Sequence, residues 1–216
     1  MRFNTFLTIV LCALWLSSAP AHAQLAERAE DVHPLLPGSA APDAEVRRVD
    51  GSAIGFRKLL DGKPSMVVFY RGGWCPYCST QLSELRKLVP ELAGLGFTLI
   101  AVSPDRPEAL ASSLEQLQLE YQLVSDASSE LMQAFGIGFV VDEATRAKYL
   151  EYKIDLARAS GAEHYGLPVP SVFIINAAGT IEFAYSNADY RTRVPERLVR
   201  AALEASAKGE FGKPVR

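Results

Sequence analysis

FYRGGWCPYC, running from Phe69 to Cys78, is the stretch on which the fold turns. The apolar run Met66, Val67, Val68, Phe69 and Tyr70 reads as a strand buried on both faces, since it offers water no polar side. Gly72 and Gly73 then turn the chain, and Cys75 and Cys78 arrive where a helical pattern begins. Strand, turn, Cys-x-x-Cys, helix is an arrangement that makes one thiol reactive and keeps a second within reach. The thiolate is the nucleophile, and the unpaired N–H groups and positive dipole end at a helix start favour it. Cys75 is therefore expected to attack. Cys78, one turn further on the same side, is expected to be more buried, to keep a higher pKa and to resolve oxidised Cys75 by closing a Cys75–Cys78 bridge. Arg71 is either an added positive charge beside Cys75 or a solvated loop arginine. Pro76 suits a first helical turn, where its missing N–H costs nothing.

Working outward, from Cys78 the residues Leu82, Leu85, Leu88, Val89 and Leu92 recur at helical spacing, and Pro90 should kink or divide that helix. Phe97 to Val102 reads as a second buried strand, Ser103-Pro104-Asp105 as a turn, and Leu110, Leu114 and Leu117 as a second helix. Gln122 to Ser125 is a short strand, and Leu131, Met132 and Phe135 mark a short helix closed by Gly136. A helical stretch near 142–160, with Ala147, Leu150, Ile154 and Ala157 on one face, reads as an insertion. Ser171 to Ile175 and Thr180 to Tyr185 form a hairpin, the second strand alternating as an outer strand should. Pro195 opens a last helix carrying Leu198, Val199, Ala202 and Leu203. Upstream, Asp50-Gly51 sits at the tip of a small hairpin over Glu45 to Ile54. Alternating strands and helices followed by an antiparallel pair imply an α/β fold: a mixed central sheet with helices on both faces.

The chain has 216 residues, 49% apolar and 22% charged, enough for one domain with a sizeable core. Residues 1–23 read as a secretory signal peptide, with Arg2, the apolar run Phe6 to Leu16 and the small-x-small site Ala21-His22-Ala23. Residues 24–36 read as a loose lead-in, and 37–216 as the domain. The leader removes Cys12, so the exported chain would hold Cys75 and Cys78 alone, a pair too closely spaced for a structural framework. The formal net charge of -3, with no basic stripe, argues against nucleic acid. No other apolar stretch approaches bilayer length, so no membrane association is expected after cleavage. Zinc needs four ligands, and beyond the cysteines only His33 and His164 are left, in no ligand spacing. Haem attachment needs His after Cys78, where Ser79 stands.

Trp74-Cys75-Pro76-Tyr77-Cys78 resembles the active-site turn of the thioredoxin superfamily, with the Pro-Tyr pair that glutaredoxins use. FYRGGWCPYC together with LIAVSPDRPE (Leu99 to Glu108), LVSDASSELMQAFGI (Leu123 to Ile137) and LPVPSVFIINAAGTI (Leu167 to Ile181) resembles the alkyl hydroperoxide reductase/thiol-specific antioxidant family, in its peroxiredoxin-like branch. The resemblance covers about Pro37 to Ala207. It implies a thioredoxin-like three-layer sandwich and an oxidoreductase with no cofactor. The reaction it implies is hydroperoxide reduction through Cys75 attack and Cys75–Cys78 disulfide formation, with a thioredoxin-like or small-thiol donor restoring the pair. It also matches Pro170 to the superfamily's cis-proline, which would present the Val169 backbone to a substrate strand. Trp74, Tyr77 and Arg71 belong to the active-site turn in this reading.

The chain departs from the family pattern twice. Gly72 stands where peroxiredoxins place a threonine, and Pro170 stands near where they place an arginine; Arg71, Arg191 or Arg193 would have to substitute. Two further readings follow from the same residues. One is an exported thiol–disulfide oxidoreductase acting on protein disulfides. The other is a copper carrier using both cysteines and His164.

Overall fold

The computed structural model describes residues 24–212. The leader expected over 1–23 lies outside the described residues. Nine strands and eight α-helices are described in the order β1 (Glu45–Arg48), β2 (Ala53–Gly55), α1 (Phe56–Leu60), β3 (Ser65–Phe69), α2 (Pro76–Arg86), α3 (Val89–Gly94), β4 (Thr98–Ser103), α4 (Pro107–Leu117), β5 (Gln122–Ser125), α5 (Glu130–Ala134), β6 (Gly138–Val140), α6 (Glu143–Glu151), α7 (Leu156–Ser160), β7 (Gly166–Pro168), β8 (Ser171–Ile175), β9 (Ile181–Ser186) and α8 (Glu196–Ala207).

Seven strands form one mixed sheet in the order β2-β1-β5-β4-β3-β8-β9, and β6 pairs with β7 in a separate ribbon. β3 runs parallel to β4, with Phe69 opposite Val102, and antiparallel to β8, with Phe69 opposite Ser171. Every residue of β3 and β8 is buried, as the continuous apolar runs require of strands flanked on both sides and covered on both faces.

Side chains alternate across a strand, so β3 feeds two cores. Met66, Val68 and Tyr70 face a layer made by α2, α3, α4 and α8 (Leu82, Leu85, Leu92, Leu110, Val199, Leu203), and the two cysteines lie in that layer. Val67 and Phe69 face the opposite layer, with Phe56, Leu131 and Phe173. There Phe69, Phe135 and Phe173 stack on one another, with centroids 4.7 to 6.0 Å apart. Truncating one such ring to Ala costs about 3–5 kcal/mol. This is the three-layer α/β sandwich expected from the pattern.

Pro90 does divide the helix: α2 ends at Arg86, and α3 begins at Val89. Three expectations need correction. The lead-in is not loose. Leu25, Ala29, Val32 and Leu35 pack against the second core, the Ala26 N–H donates to the Gly138 carbonyl, and the Val140 N–H donates to Ala26. The apolar residues that tie it down are scattered among Ala, Pro and acidic residues and make no periodic signal.

The stretch near 142–160 is two helices, not one. Lys153 takes a left-handed φ of 60°, and Asp142 and Asp155 each cap a helix start by accepting a backbone N–H. Its supposed apolar face is not buried as a unit, since Leu150 is 60% exposed. The third correction concerns Pro170. No peptide bond among the described residues is cis, so the Val169–Pro170 bond is trans. The Val169 N–H donates to Ile137, and its carbonyl accepts from the Ser171 hydroxyl. Both polar groups of Val169 are thus committed within the chain and offer no edge to a substrate strand.

Candidate active site

The parallel pairing of β3 and β4 brings their carboxyl ends side by side. The loop after β3 carries Arg71 to Cys75, and the turn after β4 carries Asp105. The Tyr70 N–H donates to the Val102 carbonyl, locking the two exits together. Carboxyl ends of adjacent strands are where α/β sheets place their chemistry.

Cys75 is the N-cap of α2, in extended conformation, and Pro76 takes the first helical position. The Cys75 carbonyl accepts from the N–H groups of Cys78 and Ser79, and the Cys75 N–H donates to Gly72. Both cysteines are reduced and buried, Cys75 at 2% exposure and Cys78 fully. The Cys75 thiol is drawn from 9.0 to about 6, chiefly by the hydrogen bond its sulfur accepts from the Cys78 thiol, then by the Cys78 N–H and the charges of Arg71 and Arg193, against the opposing effect of burial. Donating that bond, together with burial, pushes the Cys78 thiol far upward. These directions suit Cys75 as the attacking thiol and Cys78 as the resolving one. Nothing in the sequence showed that the second cysteine is also the main source of the first one's acidity.

Arg71 is not a solvated loop residue. It is 4% exposed, and its guanidinium carbon lies 4.1 Å from the Tyr190 ring centroid, 5.2 Å from Trp74 and 5.6 Å from Tyr149. Its Nη2 also donates to the Tyr149 hydroxyl. The two other candidate arginines part company. Arg191 pairs with exposed Asp189 at 2.9 Å and stays on the surface. Arg193 turns inward, its Nη2 3.4 Å from Cys78 Sγ, with Nη1 held by the carbonyls of Tyr190 and Thr192. Tyr77 is 48% exposed and meets Tyr190 edge-on at 5.7 Å.

Asp105, the last residue of the Ser-Pro-Asp turn, organises the loop. It is 2% exposed, and its Oδ2 accepts the Gly73 N–H at 2.7 Å. Burial pushes its carboxyl up to about 6, against the lowering effect of the Gly73 N–H and the Trp74 side chain. The signal that marks it is its position just past the end of a strand next to β3. Tyr149 and Tyr190 carry no local signal, because they come from the insertion and from the loop before α8.

His164 belongs elsewhere. Its Nδ1 accepts the Gly166 N–H at 2.8 Å, and its Nε2 contacts the Ala127 carbonyl at 3.0 Å, so both ring nitrogens hold backbone. Burial lowers its pKa, so the ring favours the neutral state this pattern uses. Among the described residues, no group of three or more His, Cys, Asp or Glu side chains forms a metal-ligand cluster. No described helix is long and apolar enough to cross a membrane.

An ionisable thiol at a helix N-cap, a second thiol one turn below it and a mixed sheet covered on both faces define a thiol-dependent oxidoreductase of thioredoxin-like fold. Residues 37–184, more than half of the chain, match the model of the AhpC/TSA family, and the chain belongs to that family. It is similar to a putative peroxiredoxin bcp of Haemophilus influenzae, 30% identical over 106 residues, which span 49% of this chain and 68% of that protein. Its fold is shared with a cysteine-to-serine mutant of peroxiredoxin 6 of Arenicola marina, at a TM-score of 0.65 and 17% identity over 80% of this chain and 73% of that one. It is shared too with reduced Prx3 of Vibrio vulnificus, solved with hydrogen peroxide, at a TM-score of 0.64 and 17% identity over 78% of this chain and 99% of that one. The protein is a peroxiredoxin-like oxidoreductase.

Proposed function

We propose that the protein reduces small hydroperoxides, with Cys75 as the attacking thiol and Cys78 as the resolving thiol. The observation that carries this reading is the placing of Cys75: it caps α2 and is buried, Cys78 lies one turn away, and Arg71 and Arg193 act on it, an arrangement that lowers its pKa. A thiol titrating at about 6 is roughly nine-tenths thiolate at pH 7. At 2% exposure Cys75 leaves little surface on which another macromolecule could dock. A disulfide carried on a folded protein would first have to displace the loop, which disfavours the protein-disulfide reading.

The Cys75 thiolate attacks the terminal peroxide oxygen, the O–O bond breaks, and Cys75 becomes a sulfenic acid while the leaving alkoxide or hydroxide takes a proton. The Cys78 sulfur then displaces that hydroxyl as water and forms the Cys75–Cys78 disulfide. Two thiols of a thioredoxin-like or small-molecule donor reduce the bridge and leave as a disulfide. Arg71 and Arg193 supply the positive charge beside the sulfurs, in the role the family gives to an arginine elsewhere. From residues 1–23 we also infer an exported protein, periplasmic or secreted, which fractionation of cells producing the full chain would test.

The test is stopped-flow mixing of reduced protein with hydrogen peroxide or an organic hydroperoxide, read by Trp74 fluorescence. A rate orders of magnitude above that of a free thiol, lost in Cys75→Ser, is expected. A rate no faster than a free thiol, with rapid reduction of a protein disulfide instead, would overturn the reading.

A further inference from the structure

We propose that Tyr149 is a positioning residue for the thiol chemistry: from the insertion helix α6 it clamps the Arg71 guanidinium inside a cage of three aromatic rings next to Cys75. The insertion is then a wall of the active site, not an ornament on the fold. The proposal deepens the function above and rests on Cys75 being the attacking thiol.

Arg71 leaves the sheet at the end of β3, in a loop whose arginine would ordinarily extend into water, where its charge is screened. Instead it is buried against the faces of Tyr190, Trp74 and Tyr149, and among the described residues its one side-chain acceptor is the Tyr149 hydroxyl. A desolvated cation over aromatic faces is held more firmly, and acts more strongly on a neighbouring anion, than an exposed one.

The helix α6 contributes no buried residue to the core, and besides Tyr149 it lays Arg146 over the Tyr165 ring at 4.0 Å. Its tie to the rest of the molecule runs through a small third core of Val141, Leu156 and Leu167, against which Tyr149, Ile154, Phe139, Tyr165 and Trp74 pack. Trp74 thus belongs to the cage and to the insertion's own core at once, with its ring 5.9 Å from Tyr149. The Tyr149 hydroxyl meets Arg71, so what that hydroxyl does to Cys75 passes through Arg71.

The groups that face Cys75 are Cys78 from α2, Arg71 from the loop after β3, Arg193 from the loop before α8, and Asp105 from the turn after β4. Only the Arg71 contribution should respond to loss of the Tyr149 hydroxyl. The experiment is the pH dependence of Cys75 alkylation by iodoacetamide in the reduced full chain, for wild type, Tyr149→Phe, Arg71→Gln and the double variant. Tyr149→Phe keeps the ring and removes the hydroxyl. It should raise the midpoint by about half a unit, a threefold loss of alkylation rate on the acid side. Arg71→Gln should raise it further, and the double variant should match Arg71→Gln alone, since Tyr149 has nothing left to position.

Tyr149→Leu, which removes ring and hydroxyl, should lie between Tyr149→Phe and Arg71→Gln. A Tyr149→Phe midpoint equal to wild type beside a shifted Arg71→Gln, additive shifts in the double variant, or an unshifted Arg71→Gln would each overturn the proposal. An ordinary thiol midpoint in the wild type would instead overturn the function on which it rests. Alkylation needs no peroxide, so the two failures are distinguishable.

Discussion

The indole nitrogen of Trp74 occupies the space that a Cβ on Gly72 would need, and Asp105 Oδ1 lies 2.8 Å from the same point. Gly72 also has a φ of 149°, which L side chains rarely adopt. The position where the family sets a threonine is therefore closed to any side chain here. Gly72→Thr is expected to displace Trp74 and to cost about 1–3 kcal/mol from backbone strain alone. A lower thermal midpoint and a slower peroxide step should follow. A variant of wild-type stability with a faster peroxide step would show that the loop tolerates the family residue.

The hydrogen bond between the two thiols sets a second expectation. In wild type the rate constant for the first oxidation should rise through about pH 6 and level off as the thiolate saturates. Cys78→Ala removes the donor that contributes most to this acidity, so Cys75 becomes a weaker acid and the rise moves to higher pH. Single-turnover rates from pH 4.5 to 9 measure both midpoints. Coincident profiles would mean that the charges, not the Cys78 thiol, govern Cys75.

Asp105 imposes a pH dependence on stability. Burial raises its carboxyl from an ordinary 3.8 to about 6 in the fold. Between those values the folded chain holds a proton that the unfolded chain has released. The favourable contribution is thus complete below about pH 4 and is lost as pH rises through about 6. Asp105→Asn keeps an acceptor for the Gly73 N–H and removes this loss, which is on the order of 2–3 kcal/mol at most. The melting temperature of the variant minus that of wild type should climb between pH 4 and 7 and then flatten. Asp126, raised to about 7 by burial, is present in both chains and cancels in the difference.

Arg191 and Arg193 are two residues apart and should behave as strangers. Arg193→Gln removes the contact with Cys78 and one positive charge acting on Cys75. A severalfold slower first oxidation below pH 6 is expected. Arg191→Gln breaks only an exposed ion pair and should leave rate and melting temperature unchanged within error. Equal effects of the two substitutions would refute the assignment.

The pair Arg191 and Arg193 also shows what the sequence can carry. Either could have stood in for the family's arginine, because nothing local says which way a loop arginine turns; for Arg193 the Tyr190 and Thr192 carbonyls and the Cys78 sulfur decide it. The central strands were legible because β3 and β8 must be apolar throughout. The placing of the cysteines was legible because a helix start and a one-turn offset are local facts. Asp105 hid in a Ser-Pro-Asp turn, and the strands β6 and β7 are only three residues long, too short to show a period. Tyr149 became visible only when the insertion folded back onto Trp74.

Cys75 caps α2, and Cys78 lies within its first turn, so both sulfurs ride on one rigid segment of one chain. Disulfide closure then proceeds at the same pace in a nanomolar and a millimolar solution, as encounter between molecules plays no part. Mixing equal amounts of Cys75→Ser and Cys78→Ser chains and adding peroxide should accordingly form no disulfide between chains, because Cys78 of one does not reach Cys75 of the other.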